Sequence, residues 1–420
     1  MRTKLREITE DKIGFKISNL SDSKRLSEII LIKLDRYLNY NTVRRFFGLV
    51  KSVKASNYTL DTFAKFNEYE NYNDFVINFE RSNKWKTEFQ IIEVIHANKD
   101  TELLNYITEK IHLEKYFYLK FIQILRELIL IQNYKLLIKI FRLKETQEKY
   151  FTFDDILLIG ISVGKLLKLI DYEKKEIHKL LLLENFQDLI ITINVDYGNL
   201  SNYYKYAITT IYQNSKRKKI LEFCKGVLNV YLYLQNNTEQ QFYALNYDEN
   251  FHPILKSRVY AQYILMEDSN IIKKLNNYYH ANKNKNQVSV DHFFEIIFSS
   301  ILTKNFEVMA WVINKVSNQR DYKYFYKFEH YQNFLFMKLL FYLKNNDLLN
   351  IKNTLLYFSF KNFNRSYRGV IDQYIYIFKY HMNPLEKNEY LKLYLKNSKQ
   401  NKFHFFTREY FLNYFISNGH

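Results

Sequence analysis

From about Glu88 onward, apolar residues recur at helical spacing, with short polar breaks between the runs. In Tyr118–Leu143, "YLKFIQILRELILIQNYKLLIKIFRL", two apolar segments flank a turn-like Gln132–Tyr134. The arrangement returns in Phe293–Val316 around Lys304–Phe306, and in Phe334–Phe358 around Asn345–Asp347. Each time an Asn precedes a segment whose apolar positions begin two or three residues later, the mark of a helix start. These stretches predict helical hairpins. The last two turns lie 41 positions apart by their asparagines (Asn305 and Asn346), in the range of two-helix repeats, although no Gly/Ala/Pro signature recurs at fixed offsets. One hairpin cannot bury its own apolar face, so stacking into a degenerate α-solenoid is the expected architecture, with an irregular all-helical domain as the alternative.

Upstream the pattern changes. Lys24–Leu38, "KRLSEIILIKLDRYL", predicts an apolar helix with Leu26, Ile29, Ile30, Leu34 and Leu38 available for a small core. A helix through Asn41–Gly48 turns about 100° per residue, which gathers Val43, Phe46 and Phe47 on one side and Asn41, Thr42, Arg44 and Arg45 on the other. Gly48 is a natural stop for it. A third helix is expected in "TLDTFAKF", capped by Ser56 or Thr59, with Asp61 in its first turn and Leu60, Phe63 and Ala64 as its apolar stripe. The predicted organisation is a small N-terminal domain, residues 1–87, followed by a helical body, residues 88–420.

Composition supports an all-α chain. Only 8 Gly and 2 Pro punctuate 420 residues, too few for the many turns of a sheet protein. Length implies two or more domains or a repeat array, and 47% hydrophobic residues exclude global disorder. The formal net charge is +18 and the pI about 9.4, pointing to a polyanionic partner. Part of that excess fits the Lys, Asn, Ile, Tyr and Phe enrichment of an AT-rich coding sequence, so its distribution is more informative. Lys33–Lys54 holds six basic residues (Lys33, Arg36, Arg44, Arg45, Lys51, Lys54) against Asp35 alone, a net +5 in 22 positions. Other basic runs, Asn214–Lys219 and His280–Gln287, read as solvated loops, and the 11 Lys/Arg against 4 Asp/Glu of Ile351–His420 as a second phosphate-contacting face or a solubilising cap.

A lone cysteine, Cys224, can form neither an intramolecular disulfide nor a zinc site by itself, which suits a reducing, cytoplasmic setting. The N-terminus carries scattered charges and reads as no secretory signal. The longest apolar run, Ile156–Gly164, has roughly half the length of a membrane span, so a soluble protein is expected.

The order "NYNTVRRFFGL…SNYTLDTFAKF" resembles the second half of a helix-turn-helix domain of the Cro and phage-repressor type, and "EYENYNDF" continues a similar N-terminal pattern of uncharacterised bacterial proteins. The resemblance covers about Leu26–Phe75. It places Thr42, Val43, Arg45 and Gly48 in the recognition helix and its exit, and Ser56, Thr59, Leu60 and Ala64 at the start of the next helix. The usual Gln and Ala of the preceding helix are absent, and Asn39–Tyr40 stands where the tight turn normally has glycine. The remainder resembles degenerate tetratricopeptide-like repeats. Together the resemblances imply a DNA-binding transcriptional regulator whose repeat body senses a peptide or protein. Asn41, Thr42, Arg44 and Arg45 are expected to face DNA, where Arg can meet guanine or phosphate and Asn can pair with adenine; Lys51 and Lys54 are expected to touch phosphates. A non-catalytic scaffold for protein partners is the alternative, and a protein of anionic membrane surfaces a third reading without a strongly amphipathic basic helix to recommend it.

Enzymatic patterns are weak. "GISVG", Gly160–Gly164, matches a nucleophile elbow with Ser162 in the nucleophile position, but its surroundings read as helix, and the glycines suit close helix packing. "GISVGKL" is one residue short of a phosphate loop. Asp154–Asp155 read as a helix start, and the 10 histidines have no zinc-hydrolase spacing. No enzyme activity, cofactor or metal is expected.

Overall fold

The computed structural model describes residues 1–51, 55–236, 241–283, 290–316, 325–360, 367 and 369–416. Among them every regular element is a helix and none is a strand. The chain divides into two compact units, Met1–Lys99 and Asp100–His420. The sequence-based boundary at residue 87 falls inside a helix that runs on to His96.

The first unit contains α1 (Arg2–Ile13), α2 (Leu20–Leu34), α3 (Tyr40–Phe47), α4 (Asn57–Phe66) and α5 (Tyr72–His96). Its core joins Leu5, Leu26, Ile30, Val43, Phe46, Phe63 and Phe75. Three local expectations need correction. The second helix begins earlier, at Leu20 behind the N-cap Asn19, whose side chain and that of Asp22 form a reciprocal capping box, and it ends at Leu34 with Asp35 as a left-handed C-cap (φ 52°), so Leu38 lies beyond it. Leu38 still reaches the core, held there because Ser27 Oγ donates to its carbonyl. Asp61 lies beyond the first turn of α4, which starts at Asn57, and its carboxylate instead accepts the Tyr72 N–H (2.8 Å) at the start of α5. Of the two capping residues considered, Ser56 caps α4, accepting the Thr59 N–H.

The second unit contains α6 (Asp100–Leu113), α7 (Phe117–Leu130), α8 (Tyr134–Phe141), α9 (Phe153–Gly164), α10 (Lys175–Leu181), α11 (Glu184–Phe186), α12 (Tyr203–Asn214) and α13 (Lys218–Leu234). It continues through α14 (Pro253–Leu265), α15 (Ile271–Lys283), α16 (Phe294–Leu302), α17 (Phe306–Val316), α18 (Phe325–Lys344), α19 (Leu348–Leu355), α20 (Ile371–Met382), α21 (Lys387–Asn401) and α22 (Arg408–Leu412).

All three predicted hairpins form, as α7/α8, α16/α17 and α18/α19, and their turns share one construction. A non-glycine residue in the left-handed region ends the first helix (Gln132, Lys304 and Asn346, φ 54–59°). The next residue's N–H reaches back five positions, Asn133 to Leu128, Asn305 to Ser300 and Asp347 to Tyr342 (2.9–3.0 Å). That same residue's side chain then caps the second helix, accepting the N–H of Leu136, Val308 or Asn350. In the last hairpin the cap is therefore Asp347, with Asn346 as the left-handed residue, and the equivalent positions Asn305 and Asp347 are 42 apart, one more than the asparagine count gave.

Between α8 and α12 the body loses this regularity. Single 3₁₀ turns alternate with short helices, and Gln187–Ile191 forms one turn of π-helix. α9 packs closely against this stretch. A Cβ on Gly160 would sit 2.4 Å from Ile193 Cβ, and one on Gly164 2.3 Å from Asn194 Cβ, so both glycines serve close approach. Ser162 is mid-helix, without the strand–turn–helix that an elbow needs. Asp155 completes a capping box with Thr152 at the start of α9, as its position implies.

Candidate nucleic-acid interface and a cavity in the body

α3 is fixed by what its inner face buries. Val43 and Phe46 are fully enclosed, Phe46 stacks on Phe63 with ring centres 4.1 Å apart, and Phe47 meets both rings edge-on. The Asn39 side chain caps the helix by accepting the Asn41 N–H (2.8 Å), and Gly48 ends it at φ 83°. These constraints turn the opposite side outward. Arg45 is exposed, whereas Asn41, Thr42 and Arg44 are half-buried. Arg44 Nη1 donates to Asn41 Oδ1 (3.2 Å), so the two side chains are linked along the helix, and Arg44 Nε is buried without a hydrogen-bond partner. Lys51 is exposed just past the helix; Lys54 lies outside the described residues.

Sequence reasoning overlooked two further arginines. Arg2 and Arg6, one turn apart on α1, place their guanidinium groups 5.7 and 5.5 Å from the centre of the Phe46 ring. Arg6 also reaches the exit of α3, where a Cβ on Gly48 would lie 3.8 Å from its Nη1. Burial, with the like charge of Arg2 added, lowers the Arg6 pKa against the opposing pull of Glu10. The signal was legible as "MRTKLRE", two arginines at i and i+4. Across residues 1–99 there are 18 Lys/Arg against 13 Asp/Glu, and Lys33–Lys54 alone accounts for that net +5.

The body holds a different constellation. Glu295, at the start of α16, is almost fully buried and receives hydrogen bonds from Arg258 Nη2, the Tyr367 hydroxyl and the Tyr197 hydroxyl (3.1 Å). The Tyr197 and Tyr367 rings stack at 4.4 Å, and the Arg258 guanidinium lies 4.9 Å from the Phe223 ring centre. Burial is the largest single influence and would lower the Arg258 pKa, but the Glu295 charge, Tyr197, Tyr367 and the Glu295 hydrogen bond together outweigh it and raise the pKa. Next to this cluster is a cavity of about 450 Å³, walled by α9, the irregular stretch after the π turn and the first turns of α14. Arg258, Glu295 and Tyr197 are among its lining residues, with Ser162 and Lys165 from α9. His252 opens onto it at the N-cap of α14, and its Nδ1 accepts the Ile254 N–H (3.3 Å). His252 keeps an exposed edge, yet desolvation by its surroundings lowers its pKa below the usual 6.5, with Asp291 opposing and His330 and nearby lysines reinforcing. With Nδ1 accepting, the proton sits on Nε2, and that edge is a donor.

Comparison with protein-family models, curated proteins and solved structures finds no match to this chain.

Proposed function

We propose that the chain is a DNA-binding transcriptional regulator whose N-terminal unit lays the outer face of α3 against duplex DNA. The observation that carries this reading is the two-sidedness of α3: Val43 and Phe46 are locked into the core, Arg45 is exposed, and Asn41, Thr42 and Arg44 are half-buried beside it. An eight-residue helix whose outer side chains include Asn, Thr and two Arg suits a major groove, where Arg reads guanine and Asn reads adenine. Arg2 and Arg6 support it. Two cations held against one aromatic ring repel each other, and a phosphate oxygen beside both relieves that repulsion. Lys51 adds an exposed backbone contact. Localisation in the cytoplasm and a solenoid arrangement of the body belong to the same proposal; among the described residues, no helix is long and apolar enough to cross a membrane.

Selection of binding sites from a random duplex pool tests this. The wild-type chain enriches a motif, and Arg45→Ala loses preference at one base position by roughly 10- to 100-fold, corresponding to about 1–3 kcal/mol. A pool that stays unenriched and a wild-type chain that retains no duplex at low salt would overturn the proposal.

A second reading, a scaffold for protein partners, has one specific observation behind it. Leu348, Leu349, Leu356 and Tyr357 expose 60–78% of their surface on and just after α19.

A further inference from the structure

The cavity beside Arg258 is lined by apolar side chains with a few polar groups among them, and its volume of about 450 Å³ falls within the roughly 300–1,000 Å³ of small-molecule sites. Its carboxylates are already matched. Glu148 lies 3.8 Å from Lys219, Asp188 is bound by Arg217 at 2.7 Å, and Glu295 is held by Arg258 and two tyrosine hydroxyls. What the polar lining has left over is donors. Arg258 is 4% exposed and its Nε–H has no hydrogen-bond partner. His252 has spent its acceptor nitrogen on Ile254 and keeps Nε2–H. The N-terminal turn of α14 adds the positive end of a 13-residue helix. Phe153, stacked on the His252 ring, begins the apolar wall that Ile156 and Ile161 continue along α9.

Excess donors call for an acceptor, and apolar walls call for a carbon body. A monocarboxylate satisfies both: its oxygens take the unmatched N–H groups, its single negative charge suits the helix terminus, and its chain displaces water from the α9 wall. A doubly charged phosphate fits less well, because Arg217, Lys219 and Arg258 are already engaged by Asp188, Glu148 and Glu295. We infer that this cavity is a binding site for an apolar-bodied monocarboxylate, engaged by Arg258, His252 and the α14 N-terminus and seated against Phe153, Ile156 and Ile161. Both a medium-chain carboxylic acid and the free C-terminus of a short apolar peptide carry that chemistry. The site stands independently of DNA binding by the N-terminal unit.

The test is calorimetric titration of the full chain, without DNA, using decanoate, decan-1-ol, the tripeptide Ile-Leu-Phe and its C-terminal amide. At least one acid is expected to bind tenfold or more tightly than its uncharged counterpart, and which acid does so identifies the source. Ile161→Trp fills the cavity from its wall and is expected to abolish that binding with helical circular dichroism retained. Should that variant misfold, His252→Phe, which removes a donor from an accessible position, is expected to cut the acid's advantage at least fivefold. Equal affinity for acid and uncharged counterpart, no binding by any of the four ligands, or acid binding unchanged in a folded Ile161→Trp or in His252→Phe would overturn the inference.

Discussion

Arg45 and Arg258 show two uses of one side chain. Arg45 stands exposed on a helix whose inner face is pinned by Val43 and Phe46, and its charge is available to a partner. Arg258 is buried among aromatic rings, its charge answered by Glu295 and its setting completed by Tyr197 and Tyr367. Removing the first should alter what the molecule binds; disturbing the second should alter whether the body folds. The difference follows from desolvation. An exposed guanidinium keeps most of its hydration, whereas a buried one depends on each group that replaces water.

The largest expected effect tests that contrast. Glu295→Ala leaves Arg258 buried without its counter-charge and is expected to cost about 3–5 kcal/mol in urea unfolding, against no more than about 0.5 kcal/mol for Arg45→Ala. Comparable destabilisation in the two variants would break the comparison. Next, Gly164→Ala drives a methyl group into the Asn194 side chain and is expected to cost about 1–3 kcal/mol, sharpening the claim that the irregular stretch is a tightly packed cavity wall. Smaller again, Asp347→Ala removes the cap of α19 and is expected to cost about 1 kcal/mol, with faster amide exchange confined to that hairpin.

The smallest effect is on pH dependence. His252 and His381 both have pKa values lowered by burial, with nearby lysine charges contributing, so the unfolded chain takes up protons first as pH falls through 6.5. Stability is therefore expected to be level above that pH and to decline below it, and His252→Phe should flatten the decline, as read by thermal melting between pH 5 and 8. A rise in stability on acidification over that range would contradict the lowered pKa values of these two rings.

Much of the fold was legible because periodicity and capping act locally. The α3 faces, the Gly48 stop, the Ser56 cap and the three hairpins all follow from residues a few positions apart. The start of α2 was missed because its cap, Asn19, precedes the apolar run by several residues. Asp61 was misplaced because its partner, the Tyr72 N–H, belongs to the next helix. Of the proposed interface, the four α3 residues could be read from one helix turn, but Arg2 and Arg6 join it only through the folded packing against Phe46, some 40 residues away. The buried cluster in the body was invisible for the same reason: Tyr197, Arg258, Glu295 and Tyr367 have no sequence spacing to announce them.

The most direct test of the central claim is the salt dependence of duplex binding by the full chain, measured by fluorescence anisotropy between 50 and 200 mM salt. Wild-type affinity is predicted to fall steeply, with a log–log slope of about −0.9 per phosphate neutralised. Arg2→Ala/Arg6→Ala is predicted to weaken binding evenly across sequences and to make that slope shallower by about 1 for each phosphate that the variant no longer engages. No binding at 50 mM salt, or an unchanged slope in a folded double variant that binds as tightly as wild type, would contradict the placement of DNA on this face.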